Sequence, residues 1–105
     1  MSDQIRASHI LISHSESGGS SKLTKEDALA QINQLKIDIE SGAEFAQVAQ
    51  DHSDCPSSSS GGDLGEFGRG AMVPAFEEAA FNLEEGATSD AVETQFGYHL
   101  IQRTG

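Results

Sequence analysis

Apolar and polar residues alternate from Ile5 to Ser8 in the short, β-branched-rich stretch Ile5-Arg6-Ala7-Ser8-His9-Ile10-Leu11-Ile12, and from Leu29 to Ile39 apolar residues recur every three or four positions. The first pattern has the period of a strand and puts Ile5, Ala7, His9 and Leu11 on one face; the second has the period of a helix. Between them, His14 to Ser21 offers nothing apolar to bury and predicts a mobile loop. Thr24 is placed as a helix N-cap, with Asp27 in the capping-box position and Glu26 near the positive helix end. The helix is expected to run to about Ser41 on a face of Leu29, Ile32, Leu35 and Ile39, and to stop at Gly42. Phe45, Val48 and Ala49 give Ala43 to Gln50 the spacing of a second, shorter helix.

Farther on, Pro56 biases Cys55 toward extended backbone, and Ser57 to Gly62 is expected to loop away. A brief strand is expected near Leu64 to Phe67. A third helix begins at Pro74, where a missing N–H costs little, and carries Phe76, Ala79, Ala80 and Leu83 before Gly86. Two closing strands, Ala91 to Thr94 and Tyr98 to Arg103, join through Gln95-Phe96-Gly97 as a hairpin. Strand, three helices with a short strand among them, and a terminal hairpin define an α+β domain. No internal repeat is present, and the serine-glycine runs are too short to link domains.

Composition narrows the functional classes. A chain of 105 residues has room for one domain. Seventeen acidic residues against six basic ones give a formal charge of −11, a field that repels nucleic acid and anionic membranes. No apolar run approaches the roughly 20 residues of a membrane span, and Met1 to Gln4 lacks the pattern of an export signal, so a soluble protein is expected. One cysteine forms no internal disulfide, which makes a cytoplasmic location the expectation. A small acidic chain without an apolar surface run is expected to be monomeric.

Four features bear on chemistry: His9 in the first strand, His99 in the last, Cys55 before the serine run, and the apolar set Leu64, Met72, Phe76 and Phe96. Each has a plain structural reading beside a functional one. A strand histidine is commonly a hydrogen-bonded core residue, but if the first and last strands are neighbours the two imidazoles can bond and fix each other's tautomer. Cys55 has no adjacent Lys or Arg to lower its pKa, and Asp54 opposes a thiolate. Phe76 lies on the inner stripe of its helix, whereas Met72 sits in the loop Gly68-Arg69-Gly70-Ala71-Met72, where methionines line adaptable pockets. Glu77, Glu78, Glu84 and Glu85 read as a solvated helix face. His52 and Cys55 find no second ligand pair, so no metal is expected; Gly61 to Gly65 matches no phosphate loop, so no cofactor is expected.

The ordered stretches Ala7-Ser8-His9-Ile10-Leu11, Phe45 to Ser53, Gly61 to Phe67, Met72-Val73-Pro74-Ala75-Phe76 and Thr94-Gln95-Phe96-Gly97-Tyr98-His99 resemble the parvulin family of peptidyl-prolyl cis/trans isomerases, from about Ile5 to Thr104. The resemblance implies a four-stranded antiparallel sheet surrounded by three to four helices. By position it implies a central pair, His9 and His99, with Thr94 in their hydrogen-bond network, Cys55 beside the amide that turns, and Leu64, Met72, Phe76 and Phe96 as the cup for the proline ring. Because the family holds either Cys or Asp at the Cys55 position, a nucleophile is not implied. Substrates would be proline-containing peptides or unfolded proteins. The family's phosphate-directed branch carries a Lys/Arg cluster after the first strand; His14 to Ser21 carries none, so no phosphate preference is expected. Two other functions are compatible with the residues: a noncatalytic peptide-binding chaperone using the same groove, and a thiol hydrolase or transferase pairing Cys55 with a histidine.

Overall fold

In the computed structural model, which describes residues 4–15, 23–54 and 56–105, the chain runs β1 (Gln4–Ile12), α1 (Lys25–Glu40), α2 (Phe45–His52), a 3₁₀ helix (Pro56–Ser60), β2 (Asp63–Gly68), α3 (Pro74–Asn82), β3 (Val92–Thr94) and β4 (Gly97–Arg103). The four strands form one antiparallel sheet in the order β2-β1-β4-β3. The first and last strands of the chain are therefore its two central strands.

That placement explains why β1 is apolar on both faces, beyond the single face its alternation marks. Ile10 and Ile12 pack with Leu100 and Tyr98 of β4 under α1 and α2, against Ala28, Ile32, Leu35, Phe45, Val48 and Ala49. The opposite face carries Ile5, Ala7 and Ile101, which meet Phe67 of β2 and Phe76 and Ala80 of α3. Two helices cover the first face. On the second, α3 has only nine residues, about 13 Å of helix. It covers the Ile5 end, and past its N-terminus His9, Leu11 and His99 floor an open hollow.

Local signals explain the helix ends. Thr24 Oγ1 accepts the Asp27 N–H at 3.0 Å, and Gly42 follows α1 at φ +119°. α2 begins at Phe45 and extends to His52, two residues beyond the expected end, because Ser53 N–H still reaches Ala49 O at 2.9 Å. Pro74 opens α3, and Leu83, expected within it, is its C-cap.

Three expectations are corrected. Ser57 to Gly62 does not loop away, because Pro56–Ser60 form a 3₁₀ helix, whereas the extended backbone expected at Cys55 lies outside the described residues. The run is pinned by Gly61 N–H to Ser58 O (3.0 Å), Gly62 N–H to Ser57 O (2.9 Å) and His9 N–H to Gly62 O (2.9 Å). Both glycines have positive φ (+69° and +83°), and a Cβ at Gly61 would lie 2.7 Å from that of Ala46. His14, assigned to a mobile loop, is buried with its ring centroid 5.6 Å from that of Tyr98, and Ser15 N–H meets Leu23 O at 2.8 Å. The rest of that predicted loop, 16–21, lies outside the described residues. Glu77 is not a purely solvated residue: its carboxylate accepts the Gly70 N–H and ties α3 to the loop that presents Met72.

Candidate active site

His9 and His99 arise from strands at opposite ends of the chain, and the β1–β4 register makes them diagonal neighbours: His9 faces Ile101 and Leu11 faces His99. Their Nδ1 atoms are 3.0 Å apart, and the rings stack with centroids 5.2 Å apart at 18°. His99 Nε2 lies 2.7 Å from Thr94 Oγ1, which also accepts the Phe96 N–H at 3.2 Å. His9 Nε2 lies 3.2 Å from Ser57 Oγ. Thr94, His99, His9 and Ser57 therefore form one chain of hydrogen bonds.

Such a chain has a direction. With Thr94 O–H donating to His99 Nε2, His99 Nδ1–H donates to His9 Nδ1 and His9 Nε2–H donates to Ser57 Oγ; the opposite polarity reverses every step. Either way each ring carries one proton and both buried nitrogens of the central bond are satisfied. Burial pushes His9 down to about 4, and burial with the neighbouring His9 pushes His99 down to about 4. At neutral pH the pair is uncharged.

Above the imidazoles is a hollow of about 550 Å³ lined by His9, Leu11, Asp54, Leu64, Ala71, Met72, Val73, Phe76, Phe96 and His99. Phe76 stands edge-on to both imidazoles, centroids 5.5 and 5.3 Å away at 80° and 82°, so one ring belongs to the core, the hollow and the polar pair. Leu64 comes from β2, and Met72 from the loop tied down by Glu77. Phe96 projects from the β3–β4 turn and stays half exposed, at 50%.

The structure thus brings His9, His99, Thr94, Leu64, Met72, Phe76 and Phe96 together around one cavity. Cys55 lies outside the described residues, between Asp54, which lines the hollow, and the 3₁₀ helix that carries Ser57. Five contributors escaped the sequence reading. Leu11, Ala71 and Val73 were within reach of it, since Leu11 shares the odd-numbered face of His9 and Ala71 and Val73 flank Met72. Ser57 was hidden in a run of identical polar residues with no periodicity to orient it. Asp54 was read only for its effect on the neighbouring thiol. No cluster of His, Cys, Asp or Glu among the described residues is arranged to hold a metal ion.

Comparison with known proteins agrees with this geometry. The model of the rotamase family, described as the PPIC-type PPIase domain, matches residues 9–105. The chain is 46% identical over 116 residues to peptidyl-prolyl cis-trans isomerase Pin1 of Digitalis lanata, covering 99% of this chain and 98% of that one. It is 43% identical over 102 residues to foldase protein PrsA of Geobacillus kaustophilus, covering 96% of this chain but 31% of the foldase. The structure of peptidyl-prolyl isomerase ESS1 from Candida albicans superposes with a TM-score of 0.89 at 37% identity, over 97% of this chain and 63% of that one. A central pair of bonded imidazoles beneath an apolar hollow, and a family match along nearly the whole chain, place the protein among the parvulin-type peptidyl-prolyl cis/trans isomerases.

Proposed function

We propose that the hollow isomerises Xaa-Pro bonds in peptides and unfolded chains without covalent chemistry, and that it has no preference for a phosphorylated residue before the proline. An Xaa-Pro amide turns slowly because resonance sets a barrier of about 18 to 20 kcal/mol, and no bond has to break for it to turn. In the planar amide, resonance places negative charge on oxygen and positive charge on nitrogen; twisting removes that separation. A hollow that excludes water withholds solvation from the planar form and lets the twisted one approach it in energy. Leu64, Met72, Phe76 and Phe96 grip the pyrrolidine ring while the preceding residue rotates, and each 1.4 kcal/mol gained is about a tenfold rate.

The observation that carries this reading is the neutral imidazole pair under the apolar lining. Two uncharged rings satisfy one another and present dipoles rather than a base or an acid to the carbonyl. Phosphate independence is supported by the lining, which among the described residues holds the carboxylate Asp54 and no Lys or Arg, and by the absence of Lys and Arg from His14 to Ser21.

A protease-free isomerisation assay on a short Xaa-Pro peptide tests the proposal. The wild type should accelerate exchange, Met72→Ala and Phe76→Ala should lose most of the gain, and Cys55→Asp should keep much of it. Binding without acceleration would make the protein a chaperone that uses the same groove. Complete loss in a folded Cys55→Asp variant would point to an obligatory thiol. A phosphopeptide turned much faster than its unphosphorylated twin would refute phosphate independence.

A further inference from the structure

One wall of the hollow is a loop held from behind by α3. Between β2 and α3 the chain turns through Gly68-Arg69-Gly70-Ala71, where Ala71 N–H meets Gly68 O at 3.4 Å. Gly70 has φ +91°, and among the described residues only glycines have positive φ, so Arg69 before it does not. A negative φ followed by a positive one at the two central positions is the pattern of a type II turn. Types I and II differ by a flip of the central peptide, here Arg69–Gly70. Glu77 selects the sense of that flip. Its carboxylate accepts the Gly70 N–H, whereas the flipped peptide would turn a carbonyl oxygen toward it, two acceptors with no proton between them.

Arg69 is held by the same side of the helix. Its guanidinium lies 4.4 Å from the centroid of the Phe81 ring, and Phe81 stands edge-on to Phe67 of the core, centroids 6.1 Å apart. Glu77 and Phe81 are four residues apart and therefore neighbours on one stripe of α3, so consecutive loop residues dock on consecutive turns of one helix. Neither Glu77 nor Phe81 lines the hollow, but the next two residues of the loop, Ala71 and Met72, do. Arg69, Gly70 and Ala71 are exposed, and the turn has a glycine on each side of Arg69, so packing and backbone stiffness alone hold it weakly.

We infer that Glu77 is a positioning residue for the proline ring: it fixes the turn at Arg69–Gly70 and, through it, sets Met72 in the wall of the cup. The inference rests on the proposed isomerase reading. Met72 grips the ring in the planar and the twisted amide alike, so loosening it weakens binding rather than the turning step, and KM should rise with kcat little changed.

The test is a cycle of Glu77→Ala, Met72→Ala and the double variant in the isomerisation assay on an Xaa-Pro peptide. Glu77→Ala should raise KM about fivefold, the weight of one hydrogen bond, and leave kcat within about twofold. Glu77→Gln, whose amide oxygen still accepts an N–H, should restore KM. In the Met72→Ala background Glu77→Ala should add nothing, because the side chain it positions is gone. The chain has two methionines, so the ¹³C resonance of the Met72 ε-methyl is easily followed; it should move in Glu77→Ala and return in Glu77→Gln. Additive losses, a fall in kcat alone, no recovery in Glu77→Gln, or a methyl resonance unmoved in Glu77→Ala would overturn the inference. If Glu77→Ala fails to fold, Arg69→Gln removes the other hold at an exposed position and should raise KM about twofold with the same methyl shift, and no change in either would overturn the inference. A wild type that binds the peptide without turning it would overturn the isomerase reading alone, and the peptide Kd then replaces KM in the same cycle. A wild type that neither binds nor turns it would overturn both.

Discussion

Acid should destabilise this protein well before its carboxylates titrate. His9 and His99 are buried and their pKa values lie at about 4, against 6.5 for an ordinary histidine. A depressed histidine pKa means that the unfolded chain binds protons more readily than the folded one. Stability therefore falls as pH drops from about 6.5 toward 4 and levels off below that. Between pH 7 and pH 5 each imidazole contributes a loss of about 2 kcal/mol, so the pair removes up to about 4 kcal/mol of the roughly 5 to 15 kcal/mol that holds a domain folded. Asp63, Asp90 and Glu93 have pKa values lowered chiefly by hydrogen bonds from Arg6, Lys36 and Lys25, and their contributions vanish only below about pH 4. Urea unfolding followed by circular dichroism at pH 7, 6 and 5 reads the effect as a midpoint drop of roughly 2 M. His9→Asn and His99→Asn should each remove about half of the pH dependence, whatever they do to stability at pH 7. A wild-type midpoint that stays flat from pH 7 to pH 5 would refute the claim that both rings are buried and neutral.

Two further outcomes follow from the same geometry. Ser57→Ala removes the partner of His9 Nε2, 3.2 Å away; kcat should fall about fivefold with KM little changed, and the ¹⁵N shifts of the imidazoles should move toward a mixture of tautomers. Ser57→Thr should restore both, and unchanged shifts in Ser57→Ala would show that the hydroxyl sets no direction in the network. Gly97→Ala places a methyl against Ile12 O and 2.9 Å from Ser13 Cα, at φ +132°. The cost should be about 2 kcal/mol or more, seen as a drop of roughly 10 °C in Tm, and a melt unchanged within 2 °C would contradict it.

The elements legible in the sequence were those with a periodic or capping signal. The β-branched stretch from Ile5 to Ile12, the Thr24 cap, the Pro74 start and the turn at Gly97 each correspond to a feature of the fold, with ends shifted by one or two residues. The apolar cup was legible only through resemblance, because Phe76 obeys the same spacing whether it fills a core or walls a cavity, and here it does both. Tertiary hydrogen bonds were not legible. Nothing in Ser57-Ser58-Ser59-Ser60 says that one hydroxyl meets an imidazole, and nothing in the α3 glutamates says that Glu77 caps a loop while Glu78 faces solvent. Such contacts depend on where the 3₁₀ helix and α3 dock, which no local pattern encodes.

The separation of 90 positions between the two imidazoles makes the site a product of the whole fold. Side-chain direction alternates along a strand, so a slip of one residue in the β1–β4 register would turn His99 toward Ile10 and Ile12 and leave His9 facing an apolar neighbour. Gly97 opposes that slip, because only a residue without Cβ fits against Ile12 O at the start of β4. The hydrogen-bond chain therefore cannot form until the last strand has paired with the first, and the hollow above it closes only when α3 brings Phe76 onto both rings. Burying two imidazoles weakens the domain in acid. The same burial keeps them neutral at physiological pH, and an uncharged floor from which a bound peptide displaces water is the condition under which an amide loses most by staying planar. On the proposed mechanism, acid sensitivity and catalysis have one physical cause: the removal of His9 and His99 from water.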